Sequence, residues 1–266
     1  MGCLARSGEN NVGRDEIKYY FDKRAENRDA LFEINPILEY EQRQRQKIVL
    51  DLLAVKPGEE ILDLGCGDGR DMIVFERKGA RCTGVDFSEQ MIREGVKRLR
   101  KAGVSKARLF VGSAQSLPFK DESFDKVSCS EIIEHIPDWE KAIREISRVV
   151  KRGGLVVITT PNKYGLYGLE KAFLKFVYRV LRRRGEHPYD EWKTPREVSE
   201  VLNLNGLKVQ AKGTVCFIPG CFISYKLPKG LKRFLVKTTA SIEPVLARIL
   251  NRYGYTIGIS AIKSPI

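Results

Sequence analysis

The chain has 266 residues, 42% of them apolar, enough for one large core or two small ones, which sets aside a disordered or fibrous protein. Its 47 Lys and Arg outnumber 34 Asp and Glu, a formal charge of +13, and no run of about eighteen apolar residues offers a membrane span. Met1 to Arg6 lacks a signal-peptide apolar region and has Arg6 where a myristoylation motif wants Ser or Thr. Cys3, Cys66, Cys82, Cys129, Cys216 and Cys221 form no C-x-x-C pair and suit packed, reduced thiols, so a cytoplasmic setting is expected. A charged fraction of 30% with few Asn and Gln points weakly to a thermophilic source.

Helical periodicity comes first, with Ile17, Tyr20 and Phe21 followed by Ile37, Leu38, Ile48, Val49, Leu52 and Leu53, interrupted at Asn35-Pro36. It predicts a helical cover within residues 1–56. Lys56-Pro57-Gly58 is the turn into a second part, 57–266. There the pattern alternates: strand 60–64, helix 69–78, strand 81–86, helix 88–101, strand 107–111, strand 125–130, helix 138–150, strand 154–160. Strands 207–212 and 255–263 fit a closing antiparallel hairpin. Such alternation predicts an α/β fold with a doubly wound, seven-stranded, mostly parallel sheet.

The first strand runs into Asp63-Leu64-Gly65-Cys66-Gly67-Asp68-Gly69, a glycine loop that opens a helix. Glycine lets the main chain approach a ligand closely and adopt positive φ, and the helix aims its free N–H groups at the same place. The spacing is D-x-G-x-G-x-G, not the G-x-G-x-x-G of dinucleotide sites, and carboxylates at 63 and 68 suit a cation better than a pyrophosphate. About twenty residues on, Cys82-Thr83-Gly84-Val85 ends in Asp86, followed by Phe87, where a carboxylate can take both hydroxyls of a ribose. A purely structural glycine turn is the plainer alternative. Asp63 to Gly69 together with Asp86 resembles the class I S-adenosylmethionine-dependent methyltransferases, with their Rossmann-like fold. The resemblance implies S-adenosyl-L-methionine as cofactor.

After the third strand, Gly112-Ser113-Ala114-Gln115 is similar to that family's adenine-contacting segment, with Ser113 where the family usually has Asp. After the fourth, Ser130 leads into Glu131-Ile132-Ile133-Glu134-His135-Ile136-Pro137-Asp138. A helical turn over 131–135 would put Glu131, Glu134 and His135 on one face, able to hold a divalent metal or to act as base and orienter. A pocket floor without chemistry is the plainer reading. Thr160-Pro161-Asn162, an insertion over 163–190 and His187-Pro188-Tyr189-Asp190 with Trp192 resemble the UbiG-type ubiquinone-biosynthesis O-methyltransferases. That resemblance implies Glu131, Glu134 and His135 as Mg²⁺ ligands and a quinone-precursor hydroxyl as methyl acceptor, with carbon methylation of the menaquinone-pathway type as the alternative. The two histidines of the chain, His135 and His187, are with Glu131 the candidate bases; each could equally be structural. One position departs from the family: Leu38 stands where a cofactor-contacting arginine is usual, leaving Arg43 or Arg45 to replace it, or no such contact.

The positive charge is concentrated. Residues 163–185 and 222–252 each hold seven Lys or Arg against one Glu, while the rest is nearly neutral, which argues against a nucleic-acid-coating surface. In the first segment Leu166, Leu169, Phe173, Phe176, Val177 and Val180 share a helical face opposite Lys171, Lys175, Arg179 and Arg182. This is the pattern of an interfacial helix, and near an anionic bilayer each cation contributes on the order of 1 kcal/mol. The expectation is a methyltransferase of an apolar or lipid-like acceptor, cytoplasmic and peripheral on the inner face of the cell membrane; packing on the domain with a solvated basic face is one alternative, and a basic groove on an RNA-binding methyltransferase-like protein is another.

Overall fold

The computed structural model describes residues 14–265 apart from 166, 169, 173–188 and 218–226. Two helices lead, α1 (Arg14–Ile34) and α2 (Pro36–Leu53). They are separate because Pro36 pushes Asn35 into extended backbone and has no N–H to return. Asn35 then caps α2, its Oδ1 accepting the Ile37 N–H at 3.2 Å.

Next alternate β1 (Glu60–Leu64), α3 (Arg70–Arg77), β2 (Arg81–Asp86), α4 (Glu89–Lys101), β3 (Arg108–Val111), β4 (Phe124–Ser130), α5 (Trp139–Val149) and β5 (Val150–Pro161). The sequence pattern places most of these ends to within a residue; β5 starts earlier, at Val150, because α5 hands over to it without a loop. α6 (Pro195–Leu204), β6 (Leu207–Val215), α7 (Lys229–Ile249) and β7 (Thr256–Lys263) complete the order. α6 begins with a capping box: the Thr194 hydroxyl accepts the Glu197 N–H at 3.1 Å and Glu197 accepts the Thr194 N–H at 2.7 Å.

The seven strands form one sheet, β3-β2-β1-β4-β5-β7-β6, parallel except for β7, which runs against both neighbours. The expected hairpin is corrected here. β6 and β7 do pair antiparallel, but their link carries α7 rather than a turn, and β7 inserts between β5 and β6.

Both faces of the sheet are covered, so apolar side chains are buried on both sides of its central strands. Leu62 and Leu64 of β1 meet Trp139, Ile143 and Ile146 of α5 and Val198 and Leu202 of α6. Ile61, pointing the other way, meets Val49 and Leu53 of α2, Met72 and Phe75 of α3 and Ile92 and Leu99 of α4. A third cluster, Ile37, Tyr40, Tyr167, Trp192 and Cys216, lies between α2 and α7. Cys66, Cys82, Cys129 and Cys216 are buried and outside any disulfide. Among the described residues no helix is long and apolar enough to cross a membrane.

Candidate active site

The strand order reverses at β1, with β2 and β3 on one side and β4 and β5 on the other. Outside the carboxyl ends of strands such a reversal leaves a crevice. Here it is a cavity of about 580 Å³.

The glycine loop forms its floor. Gly65, Gly67 and Gly69 have φ of +70°, +52° and +74°. A Cβ at Gly65 would stand 2.1 Å from Ile132 Cγ2, so that position needs glycine for close approach as well as for conformation, whereas at Gly67 it would meet only the movable end of Arg28 and the positive φ is the constraint. Asp86 ties the loop to the next helix: its Oδ2 accepts the Gly67 N–H at 2.9 Å and its Oδ1 the Ser88 N–H at 2.8 Å. Burial raises the Asp86 pKa and the two amide donors oppose it. Asp63, 2% exposed, is raised well above the carboxylate range by burial and then by Asp71. Cys66, Phe87, Ser113, Ala114 and Ser130 all line the same cavity.

α1 lies across this loop. Phe21 meets the rings of Phe87 at 5.7 Å and His135 at 5.1 Å, both edge to face. Buried Asp68 is faced by guanidiniums of three helices, Arg28 of α1 at 3.4 Å, Arg70 of α3 at 3.0 Å and Arg98 of α4 at 3.0 Å. Asp29 of α1 bonds Arg70 and Arg98 in turn. The second acid of the loop is therefore a structural clasp joining the cover to the core.

At the end of β4, Glu131 takes a φ of +55°, uncommon for a side chain without a glycine's freedom. Its Oε1 is shielded from solvent and has no hydrogen-bond partner. Burial raises its pKa to about 7 against the pull of Arg45 and Thr159. Glu134, 1% exposed, is driven well up by burial and then by Glu131; its Oε2 accepts the Thr160 hydroxyl at 3.0 Å. His135 Nδ1 is 3.2 Å from the Tyr189 carbonyl oxygen and Nε2 is 3.8 Å from Glu134 Oε1.

The shared helical face expected for these three is corrected. Only Ile133–His135 forms a turn, a 3₁₀ one, and the positive φ of Glu131 precedes it. Among the described residues no group of three His, Cys, Asp or Glu could hold a metal. Glu134 spends its Oε2 on the Thr160 hydroxyl, and an imidazole such as His135 is a poor ligand for a hard cation that prefers oxygen. This donor set does not fit Mg²⁺.

Arg45 lines the cavity, while Arg43 is a surface residue paired with Glu39 and 74% exposed. Arg45 bonds Gln42 Oε1, its Nε is buried without a partner, and its charge lowers the pKa of both Asp63 and Glu131. Leu38, Gln42 and Arg45 follow helical spacing, a signal that could have assigned one face of α2 to the site. Phe21, Arg28 and Tyr255 carried no such signal, because only the fold brings them to the cavity. Asp190 closes another wall, accepting from Trp192 Nε1 at 2.9 Å and Lys171 Nζ at 2.5 Å, and the Glu191 N–H donates to the Glu134 carbonyl at 3.0 Å. His187 lies outside the described residues, as do Leu166, Leu169, Phe173, Lys175, Phe176, Val177, Arg179, Val180 and Arg182.

Residues 62–158 match the family described as Methyltransferase domain. The demethylmenaquinone methyltransferase of Bacillus velezensis is 32% identical over 163 residues, covering 59% of this chain and 69% of that protein. The Staphylococcus aureus protein of the same name is 30% identical over 195 residues, covering 69% and 78%. A Haloferax volcanii protein solved in complex with the Trm112 methyltransferase activator superposes with a TM-score of 0.63 at 21% identity, over 92% of this chain and 97% of that one. Geranyl diphosphate C-methyltransferase from Streptomyces coelicolor, solved with Mg²⁺, geranyl diphosphate and S-adenosyl-L-homocysteine, gives 0.57 at 20% identity, over 82% and 78%. At these identities the solved structures share the fold.

Proposed function

This chain belongs to the class I S-adenosylmethionine-dependent methyltransferases, and on that premise we propose that it methylates a quinone precursor, an apolar aromatic held against the cofactor in the cavity. In this reading Asp86 takes the ribose hydroxyls with the lone pairs its two amide donors leave open, and Phe87, Ser113 and Ala114 enclose the adenine. Gly65, Cys66, Gly67 and Gly69, with Asp63 and Ser130, seat the methionine part. Arg45, which lines the cavity, offers its guanidinium to the cofactor carboxylate, replacing the arginine absent at Leu38.

The observation that carries the chemistry is Glu131, a strained carboxyl at the strand-order reversal with an unsatisfied oxygen and a pKa of about 7. Methyl transfer asks for alignment of nucleophile, methyl and sulfur, and for deprotonation of the nucleophile. Ionised Glu131 takes the proton of a quinol hydroxyl. Electron density then moves to the neighbouring ring carbon, which bonds the methyl carbon as the methyl–sulfur bond breaks and S-adenosylhomocysteine leaves neutral. That ring carbon then gives its proton to water, which restores the aromatic ring as a quinolate, and Glu131 returns its proton to the oxygen, so one proton is released per methyl transferred. His135, clamped between Phe21 and the Tyr189 carbonyl, is a positioning residue for this wall.

Carbon methylation is favoured by the curated relatives' name, demethylmenaquinone methyltransferase. O-methylation is the second reading, supported by the Glu131-to-Asp138 segment that resembles the UbiG type; it needs the same base but no carbon rearrangement. An acceptor of this class with a lipid tail makes the protein peripheral on the inner face of the membrane. The test is transfer of a ¹³C-methyl group from labelled S-adenosylmethionine to a demethylated naphthoquinol and to a catechol-type quinone precursor. A ring-methyl carbon signal is expected, an O-methyl signal supports the second reading, and no transfer to either acceptor refutes the quinone assignment.

A further inference from the structure

α7 is turned with its apolar side outward. Its buried side chains are Lys232, Thr239 and Glu243, while Leu231, Phe234, Ile242, Val245 and Ile249 are between 45% and 70% exposed. Steps of three, eight, three and four residues put those five along one stripe. Exposed apolar area of this extent on one helix marks an interaction surface.

The rotation of the helix is fixed from inside. Glu243, the only acid of α7, accepts the Tyr40 hydroxyl at 2.8 Å and the Phe217 N–H at 3.4 Å through Oε2, and the Cys216 N–H at 2.7 Å through Oε1. Turning the stripe inward would break all three bonds, and each buried donor left without a partner costs about 1–3 kcal/mol. Arg233, Lys237 and Arg248 are exposed on α7 itself and Arg252 just beyond it. The outward surface of α7 is thus apolar with cationic flanks and carries no acid.

We infer that this face of α7 docks on an anionic lipid surface, the stripe entering the headgroup boundary and the flanking cations meeting lipid phosphates. A second copy would set cations against cations along the same stripe. A nucleic acid would use the cations and leave the apolar side chains in water. The docked helix also lies beside the site: Val236 of α7 packs on the cluster containing Trp192, and both Trp192 and Tyr255 line the cavity. Docking stands on the helix alone; its use, passing an apolar acceptor from lipid to cavity, rests on the function proposed above.

The test is co-sedimentation of the full chain with vesicles of phosphatidylglycerol mixed equally with phosphatidylcholine, and with phosphatidylcholine alone. Three proteins are compared: the unaltered chain, Phe234→Ser with Val245→Ser, and Arg233→Glu with Lys237→Glu. S-adenosylhomocysteine affinity by calorimetry serves as the fold control, since none of the four positions touches the cavity. Expected are binding to the anionic vesicles only, a loss of about tenfold or more in the apolar pair, and a loss on the order of fivefold per cation in the charge pair that high salt reproduces in the unaltered chain. Equal sedimentation of all three, or binding independent of phosphatidylglycerol, overturns the inference. So does a dimer in sedimentation equilibrium that only the apolar pair dissolves. A quinol assay that fails while vesicle binding follows the expected order removes the quinone assignment and leaves docking intact.

Discussion

Replacing Glu131 with Gln separates the chemistry of this carboxyl from its cost to the fold. Its pKa is raised by burial from 4.5 to about 7, so between those values the folded chain holds a proton that the unfolded chain has released. Stability from this group is fully present below the unfolded value and is lost as pH rises through about 7, by up to ~3 kcal/mol at roughly 1.4 kcal/mol per unit. Glutamine mimics the protonated acid. E131Q is therefore expected to be more stable than the unaltered chain near pH 8, by about 1–3 kcal/mol, and equal to it near pH 4. Its methyl transfer should fall by about 10²–10⁴, the usual worth of a positioned base. In the unaltered chain kcat/KM should rise with pH through about 7 as Glu131 ionises, and in E131Q that limb should vanish. Urea unfolding at both pH values and a pH–rate profile with radiolabelled cofactor measure all of this. A variant destabilised equally at both pH values, with the rising limb retained, would refute the assignment.

Three further outcomes follow from the same geometry. Gly65→Ala places a Cβ 2.1 Å from Ile132 Cγ2 at a φ of +70°, so calorimetry should find S-adenosylhomocysteine binding lost and thermal unfolding should show a loss of at least ~1–3 kcal/mol. Arg45→Ala should weaken S-adenosylhomocysteine by roughly ten- to a hundredfold but leave 5′-methylthioadenosine, which lacks the carboxylate, unchanged; equal losses for both ligands would count against a carboxylate contact. Asp68→Asn leaves Arg28, Arg70 and Arg98 facing one another, so ~3 kcal/mol should be lost and hydrogen exchange should quicken first in α1, which this clasp joins to α3 and α4; unchanged protection of α1 would show that its apolar contacts suffice.

Much of the fold was legible from local signals. Period-two and period-3.6 apolar patterns, glycine turns and the break at Asn35-Pro36 are short-range properties that each segment carries by itself. The loop from Gly65 to Gly69 and the acid Asp86 belong to the same class, since a ligand approached by backbone leaves its mark as glycine and one carboxylate. Where a local rule was extended across a boundary it failed. The helical turn drawn over 131–135 assumed α backbone at Glu131, but that residue turns left-handed as the chain leaves β4. The hairpin drawn for the last strands assumed that neighbours in sequence are joined by a turn, whereas β7 finds its place between two strands only after α7 has crossed.

The sequence by itself determined the alternation that makes a doubly wound sheet, the glycine loop with its two acids, and the small number of residues able to carry acid–base chemistry, because these are written in spacing and residue type. Only the tertiary structure decided which helix face supplies Arg45 rather than Arg43, that Asp68 clasps three helices, that Glu131 is desolvated to a pKa of about 7, and that α7 shows its apolar side to the outside. Those outcomes depend on burial and on partners distant in the chain, such as Tyr40 and Cys216 on Glu243, and desolvation and hydrogen bonding have no value until the fold has brought such partners together.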